Sequence, residues 1–233
     1  MNARERWLRA QKYEKKYWIA HKYETDNDDN IIYYMAECKK VFDDINNVYQ
    51  CNKNSKVLQI GAGHRDVISF WPLGKKYAID PLRDFYKRFF SINNDINYVR
   101  GIAEKLPYKA KYFDIIIINN VLDHIINPEK ALAEVSRVIK NKGILYIKVN
   151  VFGLFSYHVH RLAKFFGLDR GHPHTFSITS IDKILSKNFV INSRKFPDRK
   201  KFLKTMTKNT NIKIRLLGYL NIAVLPYTVI CKK

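Results

Sequence analysis

The sequence predicts an α/β protein built on a doubly wound, mostly parallel sheet. From Lys56 onward, short apolar segments alternate with amphipathic ones, and the connections between them are short. This alternation is typical of βαβ units, in which helices cover both faces of a parallel sheet. The chain has 233 residues, 46% of them hydrophobic, which suits one such domain with attachments and a full core.

Five apolar segments are predicted to form the first strands of this sheet: residues 56–60, 77–79, 97–100, 113–119 and 144–149. Four consecutive isoleucines in the fourth segment favour a central strand that is buried on both faces. A short helix, stopped by Pro72, is expected after the first strand. A longer helix precedes the fifth strand, with Asn127 as its cap and Pro128 in its first turn. Its apolar stripe extends to Ile139, and Gly143 is expected to end it.

Further elements are predicted at both ends of the chain. These are helices over residues 2–24, 31–49, 154–166 and 179–187, with Thr179 as the cap of the last one, and strands over residues 189–196 and 227–231. The chain therefore divides into an N-terminal helical lid, residues 1–50, and a core domain, residues 51–233. Insertions are expected in the core domain at about residues 151–178 and 197–222. Aromatic residues at helical spacing in the first helix also suit core contacts, so the lid is one of two interpretations.

Positive charge is concentrated in the last third of the chain. The whole sequence has 42 Lys and Arg against 21 Asp and Glu, and residues 151–233 have 16 against 3. This excess favours a polyanionic partner such as nucleic acid, anionic lipid or a phosphorylated substrate. An AT-biased genome would give the same Lys-rich composition without any such partner, so charge alone does not decide between the two.

Two absences in the sequence bear on location and metal binding. No apolar run is long enough for a transmembrane helix, and the first residues lack the apolar core of a signal peptide. Three scattered cysteines indicate neither a disulfide framework nor a zinc site. A cytoplasmic protein without a metal is therefore expected, with contact at the membrane periphery as a further hypothesis for the basic segment 197–222. The sequence does not predict an oligomeric state.

Ligands of a doubly wound sheet bind at the carboxyl ends of its strands. Gly61 and Gly63 follow the first strand and allow a ligand to approach the backbone closely. A dinucleotide fingerprint needs a third glycine where this chain has Asp66, whose charge opposes a pyrophosphate. Asp80 ends the second strand, where a carboxylate accepts hydrogen bonds from two ribose hydroxyls. The alternative for Asp80 is a surface aspartate in a turn before Pro81.

The segment from residue 101 to 149 carries a set of short motifs in a fixed order. These are Ala103-Glu104, Leu106-Pro107, Phe113-Asp114 before an apolar strand, and Val121-Leu122-Asp123-His124. Together with VLQIGAG at 57–63 and AIDP at 78–81, they resemble the class I S-adenosylmethionine-dependent methyltransferases, in particular the type 11-like group that acts mainly on small molecules. The resemblance covers about residues 56–150. It implies a Rossmann-like fold with an antiparallel last strand, S-adenosyl-L-methionine as the cofactor, and an acceptor pocket made by residues 1–50 and the two insertions.

The resemblance also implies roles for individual residues. The residues expected to contact the cofactor are Gly61, Ala62, Gly63, Asp80, Ala103, Glu104, Asn119, Asn120 and Val121. The candidate catalytic residues are His124, His172 and His174, because a hydroxyl acceptor benefits from a base; packing or solvent-facing roles are the alternative. Gln59 replaces the usual Asp or Glu of the family, and Arg65 replaces a small residue, which predicts weaker cofactor binding.

The expected function is an enzyme that methylates a small molecule, a sugar or a lipid-linked acceptor at oxygen. An RNA methyltransferase that uses the basic last third is one alternative, although nucleic acid is not the favoured partner. The other alternative is a degenerate methyltransferase fold that acts as a binding protein, which the departures at Gln59 and Arg65 motivate. Exocyclic-amine methylation of nucleic-acid bases is disfavoured, because Asn119-Asn120-Val121-Leu122 replaces the usual Asn/Asp-Pro-Pro-aromatic loop.

Overall fold

The computed structural model describes residues 2–22, 27–165, 172–210 and 224–233, together with residues 212 and 215. Its strands are β1 (Lys56–Ile60), β2 (Lys75–Asp80), β3 (Asn97–Arg100), β4 (Phe113–Asn119), β5 (Ile139–Phe152), β6 (Val190–Lys195) and β7 (Val224–Lys232). They form one seven-stranded sheet in the order β3-β2-β1-β4-β5-β7-β6. The first five strands pair in parallel, and β7 runs antiparallel to both β5 and β6. The predicted fold class is therefore confirmed.

The helices lie on both faces of this sheet. They are α1 (Ala3–Ala20), α2 (Asp28–Asn46), α3 (Arg83–Phe89), α4 (Pro128–Val138), α5 (Leu154–Phe165), α6 (Ile178–Leu185) and α7 (Arg199–Thr207). All seven residues of β4 are buried, as its run of isoleucines predicts. Side chains alternate along a strand, so Ile116 and Ile118 pack on the face covered by α4 and α6. Ile115 and Ile117 pack on the opposite face, against α2.

Strand order fixes where a ligand site is expected. The chain runs outward from β1 through β2 to β3 at the sheet edge, and then returns to β4 on the other side of β1. The direction of winding therefore reverses between β1 and β4. In open α/β sheets, a crevice forms at this reversal outside the carboxyl ends of the strands.

Several predicted element boundaries differ from the observed ones, and three of them change the assigned end, cap or length of a helix. The helix after Pro128 ends at Val138, and Ile139 already pairs with Phe113 as the first residue of β5. Gly143 lies inside this strand, where an added Cβ would stand 2.7 Å from Cγ1 of Ile139, so the residue permits a close strand contact and does not end a helix. The helix expected from Thr179 is capped instead by Ser177, whose side chain accepts a hydrogen bond from the backbone N–H of Ser180.

The third boundary concerns the segment after the glycine turn. The helix expected before Pro72 is only a 3₁₀ turn, Val67–Phe70. Asp66 caps this turn by accepting a hydrogen bond from the N–H of Val67. The short turn leaves the side chain of Asp66 buried at the end of β1, a position that matters for the site described below.

The two predicted insertions are described only in part. Residues 166–171 of the first lie outside the described residues, as do residues 211, 213, 214 and 216–223 of the second. In the described part of the second insertion, α7 presents exposed side chains of Lys200, Lys201 and Lys204. The apolar residues 216, 217, 219, 220 and 222, on which the membrane-contact hypothesis also depends, lie outside. Among the described residues, no helix has the length and apolar character that crossing a membrane requires.

Candidate functional site

A cleft of about 250 Å³ opens at the carboxyl ends of β1, β2 and β4. All nine residues that the sequence marks as cofactor contacts line this cleft, and so does His124. The lining combines the glycine turn after β1, the acidic end of β2, the Ala103-Glu104 segment and the end of β4. The cleft therefore lies at the point where the strand order reverses.

The two glycines of the turn have different roles. Both have positive φ angles, +71° for Gly61 and +58° for Gly63. A Cβ added to Gly61 would stand 2.4 Å from Cγ1 of Val121, so this glycine allows β1 to approach the end of β4. A Cβ added to Gly63 would have no atom within 4 Å among the described residues. Open space for a ligand therefore lies beside Gly63, while Val121 fills the space beside Gly61.

We predict different stability losses for alanine at these two positions. Gly61→Ala should lower the free energy of unfolding by about 2–4 kcal/mol, because backbone strain adds to the collision with Val121. Gly63→Ala is the matched control and should lose only the strain of about 1–2 kcal/mol. Urea unfolding of the two variants measures the difference. Equal losses would contradict the packing role of Gly61.

Asp80 holds the glycine turn against the end of β2. Its side chain is buried, and its two carboxylate oxygens accept hydrogen bonds from the backbone N–H of Leu82 at 2.7 Å and of Gly63 at 3.1 Å. The hydroxyl of Tyr98 donates to the Gly63 carbonyl at 2.6 Å, which fixes the turn from the other side. Burial raises the pKa of Asp80 to about 6, against the opposing effect of the two N–H donors. Each oxygen keeps a second lone pair for a hydroxyl in the cleft.

A second buried carboxylate, Asp66, lies at the floor of the cleft. It accepts hydrogen bonds from Nε2 of Gln59 and, at 2.9 Å, from Nδ2 of Asn119. Oε1 of Gln59 in turn accepts from the N–H of Ile68 at 2.8 Å, so the glutamine orientation is fixed at both ends. Burial raises the pKa of Asp66 to about 6. The sequence did not predict this arrangement, in which Gln59 positions a carboxylate instead of supplying one.

The N-terminal helices form one wall of the cleft. Helix α1 contributes Trp7 and Trp18, and α2 contributes Tyr33, Tyr34 and Glu37. The indole of Trp18 donates to a carboxylate on its own helix and packs edge-on against aromatic rings of the core domain. Glu37 forms an ion pair with a lysine of β5, which ties α2 to the sheet. Side chains of the first two helices therefore form part of the cleft lining.

The three candidate catalytic histidines occupy different positions. His124 ends a 3₁₀ turn after β4 and lines the cleft. The ring of His172 lies beside it, with 4.7 Å between the ring centroids. Nε2 of His174 lies 2.7 Å from the carbonyl oxygen of Ile125, to which a protonated Nε2 donates. Within the described residues, His172 and His174 stand beside the cleft and not in its lining. The geometry of His174 favours a role in holding the loop.

In a comparison with protein families, residues 58–147 match the family model described as a methyltransferase domain. An uncharacterized protein of Methanocaldococcus jannaschii is 28% identical over 130 residues, a region that covers 56% of this chain and 58% of that protein. The chain thus spans less than two thirds of the length of that curated relative.

Solved structures with low sequence identity share the fold. The YcgJ protein of Bacillus subtilis superposes with a TM-score of 0.58 at 19% identity, over 84% of this chain and 99% of that one. The geranyl diphosphate C-methyltransferase of Streptomyces coelicolor, solved with Mg²⁺, geranyl diphosphate and S-adenosyl-L-homocysteine, gives a TM-score of 0.62 at 13% identity. That superposition covers 84% of this chain and 78% of the Streptomyces enzyme. Both similarities concern the arrangement of the sheet and its helices.

Proposed function

We propose that this protein transfers a methyl group from S-adenosylmethionine to an oxygen of a small-molecule acceptor, and the match of residues 58–147 to the methyltransferase domain model supports this proposal. The observation that carries this proposal is the buried carboxylate of Asp80, held at the end of β2 by the N–H groups of Gly63 and Leu82. Its position at the reversal of strand order suits the two ribose hydroxyls of an adenosine. The open space beside Gly63 suits the body of the same ligand.

Ala103 and Glu104 lie where the adenine of this cofactor is expected. Both are buried and line the cleft. Oε1 of Glu104 accepts a hydrogen bond from the N–H of Asn127 at 2.8 Å, so part of this carboxylate serves the cap of α4. We therefore assign the adenine contact to Ala103 and to the remaining surface of Glu104.

Asp66 suits the cationic end of the cofactor. S-adenosylmethionine carries an ammonium and a sulfonium, and a buried carboxylate attracts both. Within the described residues, Oδ1 of Asn119 is buried without a hydrogen-bond partner, so it offers an acceptor for an ammonium N–H beside Asp66. The negative charge that the family usually has at position 59 is thus supplied from position 66. This arrangement supports a cofactor site that is functional despite the glutamine at position 59.

The transfer itself is an in-line displacement. A lone pair of the acceptor oxygen forms a bond to the methyl carbon, and the carbon–sulfur bond breaks with its electron pair remaining on sulfur. The cofactor becomes a neutral thioether, S-adenosylhomocysteine, and the acceptor hydroxyl releases its proton. The protein mainly aligns the two reactants, excludes water and receives this proton. His124 lines the cleft close to Val121 and is the residue that we place nearest to the acceptor oxygen.

The proposal is tested by adding S-adenosylmethionine with a radioactive methyl group to the purified protein and cell extract. Label should appear in the small-molecule fraction and depend on the intact protein. Recovery of the label in RNA would overturn the acceptor class and favour the RNA alternative. Absence of cofactor binding by calorimetry would overturn the methyltransferase activity itself.

We predict that cofactor affinity falls as the pH falls below about 6. Burial raises the pKa of both Asp66 and Asp80 to about 6, so both carboxylates become protonated in the ligand-free protein under these conditions. Protonation removes the charge that attracts the ammonium and an acceptor for the ribose. The dissociation constant should rise by up to about tenfold per pH unit for each group. Calorimetry between pH 7.5 and 5 measures this, and Asp66→Asn should flatten the curve.

The two carboxyl groups have the opposite effect on folding stability, so a loss of cofactor binding at low pH would not be explained by acid unfolding. A carboxyl group whose pKa is higher in the folded state than in the unfolded state stabilises the fold at low pH and loses this contribution as the pH rises through 6. The ligand-free protein should therefore gain stability from Asp66 and Asp80 over the pH range in which cofactor binding weakens. A dissociation constant that is constant from pH 7.5 to 5 in folded protein would contradict the proposed roles of both residues.

A further inference from the structure

Three side chains with metal-binding atoms converge at the edge of the cleft. They are Asp123, His124 and His172, and one ligand atom from each lies within 4.8 Å of the others. Nε2 of His124 is 3.9 Å from Oδ1 of Asp123, and Nε2 of His172 is 4.0 Å from Oδ2 of the same carboxylate. The sequence predicted no metal site because His172 is far from the other two in the chain and meets them only through the fold.

One carboxylate oxygen of Asp123, Oδ1, is buried without a hydrogen-bond partner among the described residues. Its side chain is only 10% exposed. Oδ1 accepts no hydrogen bond from the described residues, and the nearest imidazole nitrogen is too distant for one. A buried carboxylate oxygen without a hydrogen-bond partner destabilises the folded state. A cation bound to that oxygen would remove this destabilisation.

The backbone around the cluster is held in place independently of the three side chains. The N–H of His174 donates to the carbonyl oxygen of Asp123 at 3.1 Å. The ring of His174 is bound to the carbonyl of Ile125 on the same loop. The segment that carries His172 is therefore fastened to the segment that carries Asp123 and His124. His174 therefore helps to fix the distance between the two segments that carry the metal-binding side chains.

The distances require a contraction of the cluster when an ion binds. Ligands bind zinc at about 2.0–2.2 Å, so two ligand atoms on a tetrahedral ion lie about 3.4 Å apart. The separations of 3.9 and 4.0 Å involve different oxygens of Asp123, and one ligand atom from each residue lies within 4.8 Å of the others, so the widest pair closes by up to about 1.4 Å. The side chain of His172 is 46% exposed, so it is the least confined of the three ligands.

We propose that Asp123, His124 and His172 bind a divalent transition-metal ion. Two imidazoles and one carboxylate suit Zn²⁺, Co²⁺ or Fe²⁺ better than Mg²⁺ or Ca²⁺, which prefer oxygen ligands. Three protein ligands leave at least one coordination position open, which is the pattern of catalytic and not of structural sites. His124 places that position at the cleft. We assign the open coordination position to the acceptor oxygen, an assignment that rests on the proposed function. A metal ion acting as a Lewis acid would make the proton of that oxygen easier to remove.

Metal binding is tested with Co²⁺ on tag-free, chelator-treated protein in the absence of S-adenosylmethionine. We expect one equivalent of Co²⁺ to bind and to give visible absorption bands. His172→Ala should weaken this binding at least tenfold, because it removes one ligand. Because the side chain of His172 is 46% exposed, we expect the variant to fold. His158→Ala, which removes an exposed histidine of α5, is the matched control and should leave the binding unchanged.

The outcomes separate the metal site from the proposed function. Loss of the cobalt bands in His172→Ala and in Asp123→Asn, but not in His158→Ala, supports the site. Equal affinity in His172→Ala and the unaltered protein, or no binding of Co²⁺ at all, overturns it. S-adenosylmethionine binding to the chelator-treated protein is measured in parallel. Cofactor binding without cobalt binding leaves the methyltransferase proposal intact, whereas cobalt binding without cofactor binding contradicts that proposal alone.

Discussion

Replacing Asp80 with alanine should weaken the binding of S-adenosylmethionine by about 10- to 150-fold. The variant loses charge-assisted hydrogen bonds to two ribose hydroxyls, which contribute about 1.5–3 kcal/mol to binding. It also releases the N–H of Gly63, which Asp80 holds at 3.1 Å, so the turn that faces the cofactor becomes less ordered. Calorimetry at pH 7.5 measures the change, with circular dichroism to verify that the variant is folded.

Asp84→Ala is the matched control for Asp80→Ala. Asp84 is also an aspartate near the end of β2, but its side chain is 53% exposed and forms surface ion pairs with Arg83 and Arg100. Exposed pairs of this kind contribute little to stability, and their side chains are not among the residues that line the cleft. We expect the control to bind the cofactor as the unaltered protein does. A dissociation constant within twofold of the original in folded Asp80→Ala would show that the ribose lies elsewhere.

Strand positions were predictable where hydrophobic pattern and burial coincide. The segments 56–60 and 113–119 were identified with the observed bounds, because a parallel strand covered on both faces is a continuous apolar run. The bounds of 97–100 also agree, although this edge strand is only partly buried. The start of β5 at Ile139 was missed. Ile139 fits the apolar stripe of α4 as well as a strand, and only its pairing with Phe113 across the sheet decides between the two.

The chemistry of the site was less predictable than its location. The glycine turn, Asp80 and the end of β4 follow one another in short motifs, and the fold brings them into one cleft. The partnership of Gln59 with Asp66 depends on the direction of the Asp66 side chain at the start of a 3₁₀ turn, which local sequence does not specify. The convergence of His172 with Asp123 depends on a loop that returns from beyond β5. Pairings of this kind are tertiary, so no spacing rule in the sequence indicates them.

Replacing His124 with alanine should lower the rate of methyl transfer by about 10²- to 10⁴-fold, with cofactor affinity within about twofold of the original value. A positioned proton acceptor contributes a factor of this size, and the loss should fall on the chemical step because the proposed cofactor contacts, Asp80 and Asp66, are unaltered. Single-turnover measurements with the true acceptor give the rate, and calorimetry gives the affinity. His158→Ala, on the exposed face of α5, controls for the loss of a histidine as such.

Comparison of His124→Ala with His172→Ala then shows how His124 acts. If His124 alone accepts the proton, His172→Ala should keep nearly the original rate, because His172 lies outside the cleft lining in the described structure. If both histidines hold a metal ion that binds the acceptor oxygen, the two variants should lose similar factors, and the slowing should be matched by removal of the metal with a chelator. An unchanged rate in His124→Ala would reject both roles, because either one requires its imidazole at the edge of the cleft.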